Sequence, residues 1–328
     1  AIDIFFAKYD TDGNYVWAKK IGGAGFDFKN GFSIAVDGSG NVYITGDFRG
    51  SNVDFDPSAG TANLSSNGDA DIFFAKYDSN GNYLWAHNIG GTTYDSGVVI
   101  RVDGSGNVYI TGIFNSSNVD FDPSTGGTAN LSSSGSSDIF FAKYDSNGNY
   151  TWAHNIGQTD QDAGRGMTVD GSGNVYITGY FRDFNVDFDP SAGGTALLSA
   201  ASSGHSDIYI AKYNSNGEYV WAHRAGGISF DNGAGIALDE QGNVFVTGHF
   251  SGTNVDFDPS AGGTALLSAA SSGHSDIFIS AVWGWQYYKF GHYSLPKPNR
   301  GYLYRTCYCQ CYGLYLDIAC RSKHCSWG

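Results

Sequence analysis

The chain has 328 residues, 47 of them Gly, with 22 Tyr, 22 Phe, one Met and 41% apolar residues, a turn-rich and aromatic-rich make-up that is poor in helix formers and large enough for a sizeable core, which excludes disorder for most of its length. The formal charge of −14 is unevenly placed: residues 1–280 carry −19 and no Cys, and residues 281–328 carry +5 and all five Cys. An acidic surface argues against nucleic acid and anionic membrane as partners and is compatible with soluble cations, and no run approaches the roughly 18 apolar residues of a membrane-spanning helix, so no membrane insertion is expected.

Residue 1 is not an initiator Met and falls inside a repeat, so a mature product or a fragment is expected. The motif DIFFAKY begins at Asp3, Asp71 and Asp138, and returns as DIYIAKY at Asp207 and DIFIS at Asp276, with spacings of 68, 67, 69 and 69 residues. A second marker, DGSGNVYITGDF at Asp37–Phe48, recurs at Asp103, Asp170 and Asp239. Within a unit, four short apolar runs read as strands, for example Gly31–Val36, Asn41–Phe48, Asp71–Tyr77 and Asn82–Ile89. The turns DGSGN (Asp37–Asn41) and DSNGN (Asp78–Asn82) carry Asn and Gly, which tolerate positive φ, and predict hairpins.

Strands such as Ile72–Tyr77 are apolar on both faces, so both must be covered by neighbouring repeats. Four-stranded antiparallel sheets that cover one another in this way are the blades of an all-β propeller. Four repeats of about 68 residues predict about four to five blades, and leave ring closure open.

The stretches GFSIAVDGSGNVYITGDF, DIFFAKYDSNGNYLWAHNIGG and NVDFDPSAGTANLSS resemble the bacterial SBBP-type β-propeller repeat over about residues 1–280. That resemblance implies that the GFSIAVD strand is innermost and the NYLWAH strand outermost. It also implies that residues 3–21 are two outer strands whose inner partners come from elsewhere.

Between the second and third strands lie connections of 17 to 22 residues, each opening with NVDFDPS. Loops this long inside compact domains are usually functional or disordered, so these are the candidate functional surface. Their aspartates, Asp54 and Asp56, Asp120 and Asp122, Asp187 and Asp189, Asp256 and Asp258, put two carboxylates on one side of an extended segment. Such oxygen pairs suit Ca²⁺, while the favoured role is that one Asp caps a turn or fixes the residue before Pro. The segment Asn185–Ile208 recurs letter for letter at Asn254–Ile277, a duplication too recent for divergent catalytic specialisation.

Trp17, Trp85, Trp152 and Trp221 recur in the fourth strand, where packing between blades is expected and sugar stacking is the competing role. His87, His154 and His223 share one position with Lys19, an exchange that fits a solvated outer strand better than metal or catalysis. His205 and His274 stand in duplicated GHSD turns, and no GxSxG, phosphate loop or HExxH motif occurs.

After Ser280 the period collapses into a tail with a CYCQC run and an odd number of Cys, spaced unlike a zinc site. Codons compatible with this tail, read one nucleotide later, permit a string that resembles the start of a type IX secretion sorting domain. Residues 281–328 are therefore expected to be poorly ordered and out of frame.

Together these features predict a non-enzymatic, secreted or cell-surface propeller that binds an extracellular protein or glycan or acts as a spacer, with Ca²⁺ as the one candidate cofactor. A glycan-binding lectin and an accessory domain of an extracellular hydrolase or lyase are the alternatives.

Overall fold

Hairpin chemistry sets the strands. In each DGSGN turn one aspartate closes the loop with its own side chain: Asp37 Oδ1 accepts the backbone N–H of Ser39 and of Asn41, each at 2.9 Å, while Asn41 Nδ2 donates to Asp37 Oδ2 at 2.8 Å. Gly40 then takes φ of 82°, which a side chain would resist. The same bonds recur around Asp103, Asp170 and Asp239, and around Asp78 and Asp145 in the other turn.

The chain is seen in a computed structural model, which describes residues 3–22, 33–259, 263–269 and 275–282. All of these lie in the first of two compact units, Ala1–Phe290, the second being Gly291–Gly328. The tail, most of the expected strand start at Gly31, and His274 lie outside the described residues.

The described residues are all-β. Blade 1 is Ser33–Val36, Val42–Phe48, Asp71–Tyr77 and Tyr83–Ile89, hydrogen-bonded in that order as an antiparallel meander. Blade 2 is Asp95–Val102, Val108–Phe114, Asp138–Tyr144 and Tyr150–Ile156, and blade 3 is Ala163–Val169, Val175–Phe181, Asp207–Tyr213 and Tyr219–Ala225. Blade 4 has three described strands, Asn232–Leu238, Val244–Ser251 and Ser275–Val282. Ahead of blade 1 stands a lead pair, Ile4–Tyr9 with Tyr15–Ile21, whose sheet has no inner strands among the described residues. The expected outer-strand pair is thus found, and among the described residues the sheets do not close on one another.

Blades 1 to 3 bury both faces, because each is stacked between two neighbours, the lead pair serving as one of them for blade 1. One core cluster joins Ile4, Phe6 and Ile21 of the lead pair to Val42, Ile44 and Phe73 of blade 1; the next joins Phe74 of blade 1 to Phe121 and Phe140 of blade 2. At the positions of Phe73 and Phe140, both essentially inaccessible, the lead pair has Phe5, which is 77% exposed. The identical residue is core or surface according to whether its blade is complete.

The first strands of blades 2 to 4 rest on the second strand of the preceding blade. Thr111 Oγ1 donates to Phe140 O at 2.7 Å within blade 2, and Gly164 on the first strand of blade 3 rests against that hydroxyl, where a methyl group would collide. Thr45 with Gly97, and Thr178 with Gly233, repeat the contact.

Candidate functional site

In its described residues each long connection is an ordered structure. It begins with an Asn in the left-handed region, Asn52, Asn118, Asn185 and Asn254 having φ between 53° and 58°, a conformation that Asn tolerates better than other side chains. A two-residue hairpin follows, Val53–Asp54 with Asn63–Leu64 in blade 1 and its counterparts in the other three. The aromatic of VDFDP is core: Phe55, Phe121 and Phe188 are inaccessible, and Phe121 sits 5.3 Å from the ring of Phe140. From the third strand, Tyr77, Tyr144 and Tyr213 donate their hydroxyls to the carbonyls of Phe55, Phe121 and Phe188 at 2.9 to 3.0 Å.

The paired aspartates hold this loop shut. Asp120 Oδ1 accepts the backbone N–H of Asp122 at 3.0 Å and of Ala129 at 2.8 Å, and Asp122 Oδ1 accepts that of Ser124 at 2.9 Å. Asp54 and Asp56 bond in the same way, as do Asp187 and Asp189, and Asp256 accepts from Asp258 and Ala265. The loop strand also pairs with the end of the preceding fourth strand, through the bridges Gly22 to Asp54 and Gly226 to Asp256. The connection is therefore a stitch between blades. Among the described residues no group of three or more His, Cys, Asp or Glu side chains is placed to hold a metal ion.

The fourth-strand aromatics also work across blade boundaries. Trp152 stacks edge-on to Phe141 at 5.7 Å and donates Nε1 to Ser215 O, in a turn of the next blade, at 3.2 Å. Trp17 reaches Ser79 O likewise at 3.3 Å, Trp85 lies 5.6 Å from Phe74, and Trp221 lies 6.2 Å from Tyr176. The histidines correct an expectation. Instead of being solvated, His87, His154 and His223 are half-buried, and burial holds each imidazole below its ordinary pKa. A methyl group on Gly148 would stand 2.6 Å from His87 Nε2, and one on Gly81 would stand 2.9 Å from Lys19 Cγ. The position covers a turn glycine of the next blade, which a ring or a lysine stem does equally well; that is why Lys19 can replace His. His205 packs on Phe230 at 4.7 Å, with Nδ1 3.3 Å from Ser202 Oγ.

Sequence reasoning overlooked a second set of aspartates. Asp71 and Asp95, Asp138 and Asp162, and Asp207 and Asp231 meet where one blade passes to the next, and all six are inaccessible. The backbone N–H of Asp95 donates to Ala70 O at 2.8 Å, beside Asp71, and the other two pairs repeat this. Asp95 accepts backbone N–H groups from Gly91, Asn115 and Ser116. Burial pushes all six carboxyls up, Asp71 and Asp231 to about 6 and Asp162 to about 7, and within each pair the neighbouring carboxylate adds to the rise of one member. A constant spacing of 24 residues between the members of each pair was the available signal.

Two grooves of about 450 Å³ open between blades. One lies at the long-loop end, with Asp120, Asp122 and Pro123 facing Asn67, His87 and Asn88. The other lies at the turn end, with Asp103, Tyr109, Lys143 and Asp170 around it. Both are polar and repeat-derived.

Residues 16–47, 151–180 and 220–258 match the family described as SBBP, a β-propeller repeat; the chain carries SBBP-type propeller repeats. It is also 28% identical over 268 residues, 74% of its length, to an uncharacterized WD repeat-containing protein of Acanthamoeba polyphaga mimivirus. Over 138 residues, 41% of its length, it is 29% identical to a regulatory protein, FlaEY, of Caulobacter vibrioides. The chain spans only 19% and 14% of those two relatives.

Proposed function

We propose that the chain is a non-enzymatic, secreted or cell-surface binding module that presents equivalent blade edges to an extracellular partner. The observation that carries this reading is the sameness of the long-loop end. The same aspartate bonds and the same buried Phe shape each described copy, so a partner that fits one blade edge fits its neighbours, and weak contacts add through multivalency. The names of the relatives, a WD repeat-containing and a regulatory protein, point the same way without naming a partner.

The test is binding of the intact chain to a panel of extracellular proteins and glycans, with cell fractionation for its location. Multivalent binding to one class, with no chemical change in the bound partner, is expected. Turnover of a bound glycan or peptide would overturn the non-enzymatic reading, and a blank panel would overturn the binding role in favour of a spacer. The polar groove beside Asp120 and Asp122 gives a lectin a specific footing, since its volume is in the range of small-ligand sites. Glycan signals alone, competed by free monosaccharide, would select that second reading.

A further inference from the structure

From the fourth strand, one side chain at a fixed register meets the third-strand aspartate in each of four copies. In the lead pair it is Lys20, with Nζ 2.9 Å from Asp3 Oδ2. In blade 1 it is Asn88, with Nδ2 3.3 Å from Asp71 Oδ2, and in blade 2 Asn155, with Nδ2 3.1 Å from Asp138 Oδ2. In blade 3 it is Arg224, paired with Asp207 Oδ2. Two copies supply a cation and two supply a neutral amide.

The amide copies are those in which the fourth strand supplies no counter-charge. Their junctions bury a second carboxylate, Asp95 or Asp162, as the Arg224 junction buries Asp231, but with no basic side chain beside it among the described residues. Among the described residues neither Asp71–Asp95 nor Asp138–Asp162 has an ion-pair partner. Asp71 Oδ1 is buried without any hydrogen-bond partner, as are Asp3 Oδ1 and Asp207 Oδ1 where a cation stands on the other carboxylate oxygen, and the neighbouring glycine leaves no side chain in the way, since a methyl group on Gly90 would collide with that carboxylate. A methyl group on Gly157 would stand 2.6 Å from Asp138 Oδ1 and 2.9 Å from Asp162 Oδ2, so both carboxylates of the second pair converge on one point. Two buried like charges with no counter-charge are strongly unfavourable, so once both protons are lost a counter-ion must neutralise them.

We propose that the pairs Asp71–Asp95 and Asp138–Asp162 each take up one small hard cation from solvent, which does at those two junctions what Arg224 does at Asp207–Asp231. The donors are oxygens only, two carboxylates completed by backbone carbonyls or water, a set that selects ions of the sodium, potassium, calcium and magnesium class over thiophilic metals. These sites are separate from the VDFDP loops, whose carboxylates close turns. Bound ions would lock successive blades together and make the rigidity of the array depend on its ionic surroundings.

The test uses the full chain, stripped of metal, at pH 8 and low ionic strength. Calcium is titrated calorimetrically, and melting is followed in calcium, magnesium, sodium, potassium and choline chlorides. Uptake of about two ions per chain and a rise in melting temperature with at least one small cation but not with choline are expected. Asn88→Arg combined with Asn155→Arg should melt higher without added salt and lose the response. Arg224→Asn should raise the stoichiometry to about three. No response to any small cation, or an equal response to choline, would overturn the proposal. So would a response undiminished in the double variant, which would place the ions in the long loops. If the double variant does not fold, the Arg224→Asn stoichiometry decides alone.

Discussion

At the scale of the residue, aspartate does opposite work at the two ends of each blade. In the turns it is a solvated cap: the backbone N–H and side-chain amide of Asn82 hold Asp78 below the ordinary carboxylate range, and at Asp103 the same bonds from Asn107 overcome a burial that acts the other way. At the junctions burial prevails and raises the carboxyls. Such a raised group favours the fold fully below its unfolded pKa, and that contribution is lost as pH rises through its folded value, about 6 for Asp71 and about 7 for Asp162. The depressed turn aspartates contribute above their unfolded pKa and lose it as pH falls further. In metal-free solution a stability maximum near pH 4–5 is expected. The buried His87, His154 and His223 oppose the trend below their ordinary pKa, so the decisive comparison is differential. Asp162→Asn should flatten the loss of melting temperature between pH 5 and 8 relative to the parent, and an unchanged slope would refute the assignment. Thr111→Val leaves the buried Phe140 carbonyl without its donor and should cost about 1–2 kcal/mol in chemical denaturation.

At the scale of the element, the long connection is a part of the sheet's architecture and not a free loop. Phe121→Ala should destabilise by about 3–5 kcal/mol, as removal of a fully buried aromatic does, whereas an unstructured loop would tolerate it. Asn185→Val forces a β-branched residue into positive φ and should cost about 1–3 kcal/mol, while Asn185→Gly stays near neutral; equal effects would mean that the left-handed turn is unimportant. These roles were only half legible in sequence. VDFDP was visible as a repeated motif, yet its phenylalanine was overlooked beside its aspartates, because a 19-residue connection gives no period from which burial could be read. The junction aspartates were overlooked for a related reason: Asp71 and Asp95 belong to different repeat landmarks, and only the stacking of blades brings them together.

At the scale of the molecule, each blade leans on its neighbours, so stability behaves as a chain of nearest-neighbour terms. Blades 2 and 3 are covered on both sides, while the lead pair exposes Phe5 and blade 4 exposes Ile277 and Ile279, 82% and 62% accessible. Hydrogen exchange should therefore be slowest in Ile110, Phe141 and Ile177 and fastest in the lead pair and in Ser275–Val282. Uniform protection from end to end would show instead that the array opens as a single unit.

The amino-acid sequence by itself determined the period, the hairpins, the four-stranded meander and the stacking of blades, since alternation, turn residues and two apolar faces are local properties that repeat. Only the tertiary structure decided what the conspicuous residues do. The outer-strand histidines became covers for a neighbour's glycine, the loop aspartates became stitches, and aspartates that had marked only the start of a repeat became members of buried pairs 24 residues apart. The physical reason is the same in each case: hydrogen bonding and burial at a blade boundary depend on residues from two repeats, and a repeat read alone holds only one side of every boundary.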